Sequence, residues 1–335
     1  MDASPDLVAL FSDQLAASGL VAGEHCLALT DTTWDPRCAA ACEEAARAVG
    51  ASVAISRFEG TRPPDARALA SAAEAELVVY MTGWPLHYRR EIGDALAAGS
   101  RVLAVMQPPA VLARLPFNAD VRRRVAAGAQ RLAPAAEIRV RSAAGTDLVM
   151  DKTGRRALAH YGAADRPGCL DFWTAGMVQA AQLEGTTEGR LVLDVGDCCF
   201  RLGLCMRDPV TIIFERGRVV AIEGGDEARQ IREALASGGD PQAFMAGHMA
   251  WGMDARAEWG PHLFQDGHEG GGAHIEAYDG NVQIEIGSND DVAFGGRNRS
   301  TVHLGLCLRN ASLWLDGVPV IDTGRFVSDE LRPAS

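Results

Sequence analysis

Long apolar runs are missing from this sequence. No window approaches about eighteen uninterrupted apolar residues, and Met1-Asp2-Ala3-Ser4-Pro5 lacks the basic segment and apolar stretch of a secretory leader. The expectation is a soluble, cytoplasmic protein with no membrane partner. Basic charge is also scarce: 32 Lys and Arg stand against 44 Asp and Glu, for a formal net charge of -12. Binding to nucleic acid or to an anionic membrane gains from counterion release at a basic surface, so both partner classes are set aside. The eight cysteines include no C-x-x-C pair. Cys38 and Cys42 sit four apart in an alanine-rich stretch and Cys198-Cys199 are adjacent, which reads as buried free thiols in a reducing compartment rather than disulfides or a zinc knuckle. Several catalytic signatures are absent too: G-x-G-x-x-G, a Walker lysine, H-E-x-x-H, a G-x-S-x-G elbow and a papain-type cysteine motif.

What is present is globular, with 47% apolar residues, and at 335 residues it exceeds one comfortable core. Residues 1–133 alternate helical and strand-like patterns. Helices are expected over Pro5–Ala17, Pro36–Val49, Asp65–Ala75 and Tyr88–Ala98, and strands over His25–Leu29, Ser52–Ser56, Leu77–Met81 and Arg101–Met106. This grammar predicts an α/β domain with a parallel, flavodoxin-like or Rossmann-like sheet. The turn after the first strand, Thr30-Asp31-Thr32-Thr33-Trp34, has no phosphate-cradling glycines. Residues 134–335 change character, with strands expected at Glu137–Ser142, Asp147–Asp151, Gly189–Asp197, Val210–Glu215, Arg218–Glu223, Phe244–Ala250, Asn281–Ile286, Thr301–Leu308, Ser312–Leu315 and Val318–Ile321. One helix, Asp226–Ala236, interrupts them, and Val327–Ser335 reads as a loose tail. The second domain is therefore expected to be α+β and mainly antiparallel.

In Thr301-Val302-His303-Leu304-Gly305-Leu306-Cys307-Leu308-Arg309-Asn310, strand alternation puts His303, Gly305, Cys307 and Arg309 on one face and three leucines on the other. An imidazole, a thiol and a cation around a glycine suggest a polar task. Together with His248 in Ala246-Gly247-His248-Met249-Ala250-Trp251-Gly252, His303 reads as one of two ligands to a single metal ion, the alternative being a hydrogen-bonded structural role for each ring. Most histidines fall in the second domain, as an imidazole-ligated metal requires. His262 and His268 fall in a glycine-rich polar loop and read as exposed; His274 and Glu276 could share a strand face or form a surface pair. His87, in Thr82-Gly83-Trp84-Pro85-Leu86-His87-Tyr88, follows the third strand, where ligands of such sheets gather, and is an acid/base candidate or a surface residue. His160 opens a loop leading to Asp171-Phe172-Trp173. Trp84, Trp173 and Trp251 are candidates for ring stacking or for core packing, and Arg309 is a candidate substrate-binding cation.

At Ala164-Asp165-Arg166-Pro167-Gly168, Leu191 to Asp197, Gly247 to Gly252 with Arg256-Ala257-Glu258-Trp259, Gly295-Gly296-Arg297, and His303 to Asn310, the chain resembles the 2,5-dihydroxypyridine 5,6-dioxygenase family. More distantly it resembles the aminopeptidase T-like metallopeptidases. The family resemblance implies an iron(II) site held by two histidines and an aspartate. The matching positions are His248, His303 and Gly305, so the aspartate is replaced by a residue without a side chain. His160 stands where the family has a glutamate, and Phe172 where it has a histidine implicated in proton transfer. The expectation is a mononuclear non-haem Fe(2+) oxygenase opening or oxidising a small hydroxylated ring, N-heterocycles included, with dioxygen as co-substrate. His248, His303 and His160 would be its ligands, and His87 and His160 its acid/base groups. The alternative is a Zn(2+) hydrolase of a small lactam, lactone or amide, favoured by an all-neutral ligand set. Homo-oligomerisation is implied by the resemblance alone.

Overall fold

The computed structural model describes residues 5–264, 273–290 and 295–334. It divides into two compact units, Met1–Ala119 with His160–Ala175, and Asp120–Ala159 with Gly176–Ser335. The chain runs α1 (Leu7–Ala17), β1 (His25–Asp31), α2 (Pro36–Val49), β2 (Ser52–Phe58), β3 (Leu77–Met81), α3 (Arg90–Ala98), β4 (Arg101–Ala104) and α4 (Pro109–Arg114). It continues through α5 (Ala119–Leu132), β5 (Glu137–Arg141), β6 (Asp147–Asp151) and β7 (Leu158–His160), then supplies β8 (Leu170–Phe172) to the first unit's sheet. The remainder is β9 (Met177–Ala181), β10 (Glu188–Leu193), β11 (Cys198–Cys199), β12 (Leu204–Cys205), β13 (Val210–Glu215), β14 (Arg218–Glu223) and α6 (Asp226–Ser237), followed by β15 (Ala246–Gly252), β16 (Val282–Gly287), β17 (His303–Leu308), β18 (Ser312–Leu315), β19 (Val318–Asp322) and β20 (Arg325–Phe326). Among the described residues no helix is long and apolar enough to cross a membrane.

The first unit is a parallel sheet in the order β2-β1-β3-β4-β8. A central parallel strand is covered on both faces and so can be apolar throughout, as Leu77-Val78-Val79-Tyr80-Met81 is. Alternate residues feed two cores: Leu77, Val79 and Met81 pack with Phe11, Leu15, Cys38 and Cys42, while Val78 and Tyr80 pack with Ile92 and Ala95. Helix α2 shows why these segments are helical. Asp35 accepts from the Arg37 N–H at its start, Pro36 occupies the first turn, and Gly50 closes the end at φ 89°. The fifth strand, β8, is not expected from the sequence, because its Leu-Asp-Phe is too short to show a period.

The helix expected over Asp65–Ala75 is instead a series of turns and a 3-10 helix at Ala70–Glu74. Its buried residues Leu69, Ala72 and Ala75 recur every three positions, the repeat of a 3-10 helix rather than of an α-helix. The expected loose tail is also corrected. Leu331 is fully buried, Arg123 donates to the Glu330 carbonyl, and Arg131 donates to its carboxylate, so the segment is fastened to α5.

The second unit holds two antiparallel sheets, β14-β13-β10-β6-β5-β18-β19-β20 and β12-β11-β17-β16-β15-β9-β7. Chemistry concentrates in the latter. Helix α5 covers one of its faces: a side chain added at Gly128 would begin 3.0 Å from Val178 and 3.5 Å from Trp251. Trp251 alternates with His248 and Ala250 along β15, so packing against α5 directs His248 to the opposite face.

Candidate metal centre

Three adjacent strands build the centre. In the β16–β17 register Gly287 faces His303, Glu285 faces Gly305 and Gln283 faces Cys307; in the next pair Cys307 faces Cys198 of β11. Strand alternation therefore puts Gln283, Glu285, His303, Gly305 and Cys307 on one face. His248 arrives from β15 across a register shift between Ala246 and Met249. Such an irregularity re-aims a side chain relative to its neighbours.

The structure brings the two sequence-predicted ligands together. The rings of His248 and His303 stack with centroids 5.1 Å apart and an interplanar angle of 30°. Glu285 completes the group: among the described residues, one ligand atom from each of His248, Glu285 and His303 lies within 4.8 Å of the others. Glu285 is 0% exposed, and among the described residues neither carboxylate oxygen has a hydrogen-bond partner. Burial pushes its pKa well above the usual carboxylate range, and Glu276 adds to the rise. A buried carboxylate without a donor is costly unless a proton or a cation joins it.

The His303 ring is oriented for the same task. Its Nδ1 lies 3.1 Å from the Ser288 carbonyl, an acceptor, so Nδ1 carries the hydrogen and Nε2 presents a lone pair. That Nε2 faces Glu285 Oε2 at 3.5 Å. Burial pulls the His303 pKa down to about 3, with the Arg201 cation adding to the fall, which keeps the ring neutral. Two electron-rich atoms thus face one another, one on a half-buried ring and the other on a fully buried carboxylate. Phe200, Ile275, Cys198 and Cys307 form the apolar cluster beside them. Two imidazoles and one carboxylate are the donor set of non-haem iron(II) oxygenases, so the residues present suit that ion.

Glu285 is not among the residues the sequence singles out. The available signal is alternation within Val282-Gln283-Ile284-Glu285-Ile286, where polar residues occupy every second position of a strand that is buried throughout. His274 and Glu276 lie in a 3-10 helix, Ala273–Ala277, rather than in a strand; Asn281 holds that segment by donating to the carbonyls of Ile275, Glu276 and Tyr278. His262 is exposed, and His268 lies outside the described residues.

A second group of predicted residues belongs to the first unit. His87 and His160 flank the Phe172 ring, each with its centroid 5.2 Å away and at interplanar angles of 85° and 70°. His87 is buried in a 3-10 helix, Leu86–Tyr88, that follows β3, and its Nδ1 lies 2.8 Å from the Tyr80 hydroxyl. Asp171 fastens the loop that carries His160 by accepting N–H bonds from Tyr161, Gly162 and Phe172. His160 is buried and, among the described residues, neither ring nitrogen has a hydrogen-bond partner; Asp171 is 3.6 Å from Nδ1.

The tryptophans divide. Trp84 is half-buried and anchored through its indole N–H to the Gly60 carbonyl at 3.0 Å, which leaves part of the ring available. Trp173 and Trp251 are packing residues instead of open stacking surfaces: Trp173 meets Phe11 edge-on at 5.0 Å, and Trp251 lies beneath α5. Arg309 falls one residue past β17. Its guanidinium lies over Tyr278 at 5.7 Å, and its backbone N–H donates to Asp197. All eight cysteines are free.

Known proteins resemble this chain over most of its length. A curated 2,5-dihydroxypyridine 5,6-dioxygenase from Pseudomonas putida KT2440 is 35% identical over 259 residues, covering 77% of this chain and 73% of the relative. The solved structure of 2,5-dihydroxypyridine dioxygenase from the same organism superposes with a TM-score of 0.92 at 30% identity, covering 99% of this chain and 100% of that one. Wild-type AmpT from Thermus thermophilus shares the fold alone, with a TM-score of 0.65 at 15% identity over 96% of this chain and 99% of its own. The profile of the NicX family, 2,5-dihydroxypyridine 5,6-dioxygenase, matches residues 6–328, and the chain belongs to that family.

Proposed function

We propose that this protein is an iron(II)-dependent dioxygenase that opens a dihydroxylated pyridine or a closely similar hydroxylated N-heterocycle, using His248, Glu285 and His303 to hold the metal. The observation that carries this reading is the meeting of two stacked imidazoles with a buried carboxylate that has no hydrogen-bond donor. Iron(II) held there would supply the redox chemistry that lets dioxygen react with a closed-shell ring.

The chain's own groups do the rest. Glu285 offsets one of the two positive charges of a divalent ion, and the Ser288 carbonyl holds His303 in the tautomer whose Nε2 can donate its lone pair. Phe200, Ile275 and Cys307 keep water from the carboxylate, which strengthens its attraction for a cation. His87, steadied by Tyr80, and His160, which has no hydrogen bond at either nitrogen, are assigned the proton transfers that ring hydroxyls require. Glu285 thus takes the third ligand position that the sequence reading assigned to His160.

The zinc hydrolase alternative rested on an all-neutral ligand set. A His-His-Glu set also suits zinc, so the ligands do not separate the two readings; the curated relative that matches most of the chain is a dioxygenase, which favours the oxygenase. The test is oxygen uptake by iron-reconstituted protein with 2,5-dihydroxypyridine. Uptake in step with loss of the ring's absorbance is expected, and turnover at an undiminished rate without oxygen would overturn the proposal. Light scattering on the same sample tests the implied homo-oligomer.

A further inference from the structure

We infer that Glu285 and Gly305 form an interdependent pair in which the carboxylate of the centre is delivered from β16 and position 305 of β17 must be empty to admit it. The inference rests on the reading of His248 and His303 as metal ligands and deepens it. Its basis is register and space. Glu285 and Gly305 are direct partners across β16 and β17, and residue 305 shares the face of His303 two positions away. A side chain on either residue is therefore aimed at the same place.

Only one can occupy it. A Cβ built on Gly305 would lie 2.7 Å and 2.9 Å from the two Glu285 oxygens and would collide with the Phe200 ring. Phe200 is itself buried, so the ring has little room to retreat. Gly305 has an ordinary strand conformation, and no left-handed backbone demands glycine there. The requirement for glycine is thus steric, and what needs the space is the Glu285 carboxylate and the ring behind it. Strands in a sheet lie about 4.8 Å apart. The place a side chain on Gly305 would enter is already the place of the Glu285 carboxylate, 2.7 Å and 2.9 Å from the built Cβ, so an aspartate at 305 could put its carboxylate there from β17 if position 285 were shortened.

The experiment compares apo protein loaded anaerobically with Co(2+), reading affinity by chelator competition and site geometry by the visible Co(2+) absorption. Glu285→Gln keeps the shape of the side chain and is expected to weaken Co(2+) binding beyond the about 10–100-fold typical of an outer-sphere partner. Gly305→Asp is expected to lose the site. Glu285→Ala with Gly305→Asp is expected to recover Co(2+) binding to within about tenfold of wild type, well inside the loss of either single variant, because one carboxylate again faces the two imidazoles.

Wild-type affinity in Glu285→Gln, with loss in His303→Ala, would overturn the pairing while leaving the metal reading standing. Wild-type affinity in both would overturn the metal reading itself. A folded double variant that binds no better than Gly305→Asp would overturn the exchangeability of the two positions.

Discussion

Asp197 should make the stability of the second unit fall as pH rises from about 4 to 6. The residue is 6% exposed, its carboxylate accepts from the backbone N–H groups of Arg309 and Asp194, and burial pushes its pKa up to about 6 against those bonds. A carboxyl whose folded pKa is raised holds its proton in the folded state after the unfolded chain has released it. Between the ordinary value of 3.8 and about 6 the folded state therefore binds more protons, and stability declines with pH across that window and levels off above it. A displacement of about two units, at about 1.4 kcal/mol each, gives about 3 kcal/mol. Carboxylates held below their ordinary range, such as Asp31, Asp147 and Glu184, work in the opposite sense, so the quantity to measure is a difference. Asp197→Asn loses one of the two N–H bonds at a cost of about 1 kcal/mol that does not vary with pH. Urea unfolding of both proteins at pH 4, 5, 6 and 7 should show the variant gaining about 2 kcal/mol on the wild type over the series, since part of the total falls below pH 4. Parallel curves would refute the reasoning. Asp197 also ties the turn before β11 to the end of β17, so the variant should loosen Arg309 as measured by amide hydrogen exchange.

Arg124 is 1% exposed and bonded to Asp120 and Asp279, so Arg124→Met should leave the half-buried Asp279 carboxylate without its cation and cost about 1–3 kcal/mol in urea unfolding. Asn281→Ala removes the donor shared by three carbonyls of the 275–278 segment and should cost about 1–3 kcal/mol, with exchange protection lost there first. His87→Ala should lower turnover by about 100-fold or more with little change in KM, and Tyr80→Phe should have a smaller effect and shift one limb of the pH profile. His303→Ala should abolish retention of iron through gel filtration, whereas Cys307→Ala, which removes a neighbour that supplies no ligand, should keep it.

Where side-chain period and backbone period agree, the fold is legible. The boundaries of α2, β3, β6, β13, β14 and β18 coincide with those expected, because caps, hairpin turns and alternation all point to the same limits. Legibility fails where a segment is too short to show a period, as at β8, or where two periods are close. At 69, 72 and 75 a spacing of three is easily confused with the stripe of an amphipathic α-helix. The boundary between units is harder still. Composition suggests a single boundary near residue 133, but the chain crosses between the two units more than once, and a returning strand leaves no mark in composition.

The site divides along the same line. His248 and His303 can be found because a histidine in a strand that is otherwise apolar is conspicuous within its own segment. Glu285 cannot be connected to them in the same way, because its meaning depends on the residue across the sheet from it. Read alone, Gly305 is a missing side chain and Glu285 is an acid in a buried strand; in register they are one arrangement, with the volume vacated by the first filled by the second. The same logic accounts for the appeal of an all-histidine ligand set. It arises when the search for a lost carboxylate is confined to the positions where one used to be, whereas a sheet offers every cross-strand neighbour as a second origin for the same charge at about 4.8 Å offset. A polar residue at every second position of an otherwise apolar strand, in a chain whose expected metal ligand has become glycine, is therefore the pattern that warrants pairing the two segments from the amino-acid order alone.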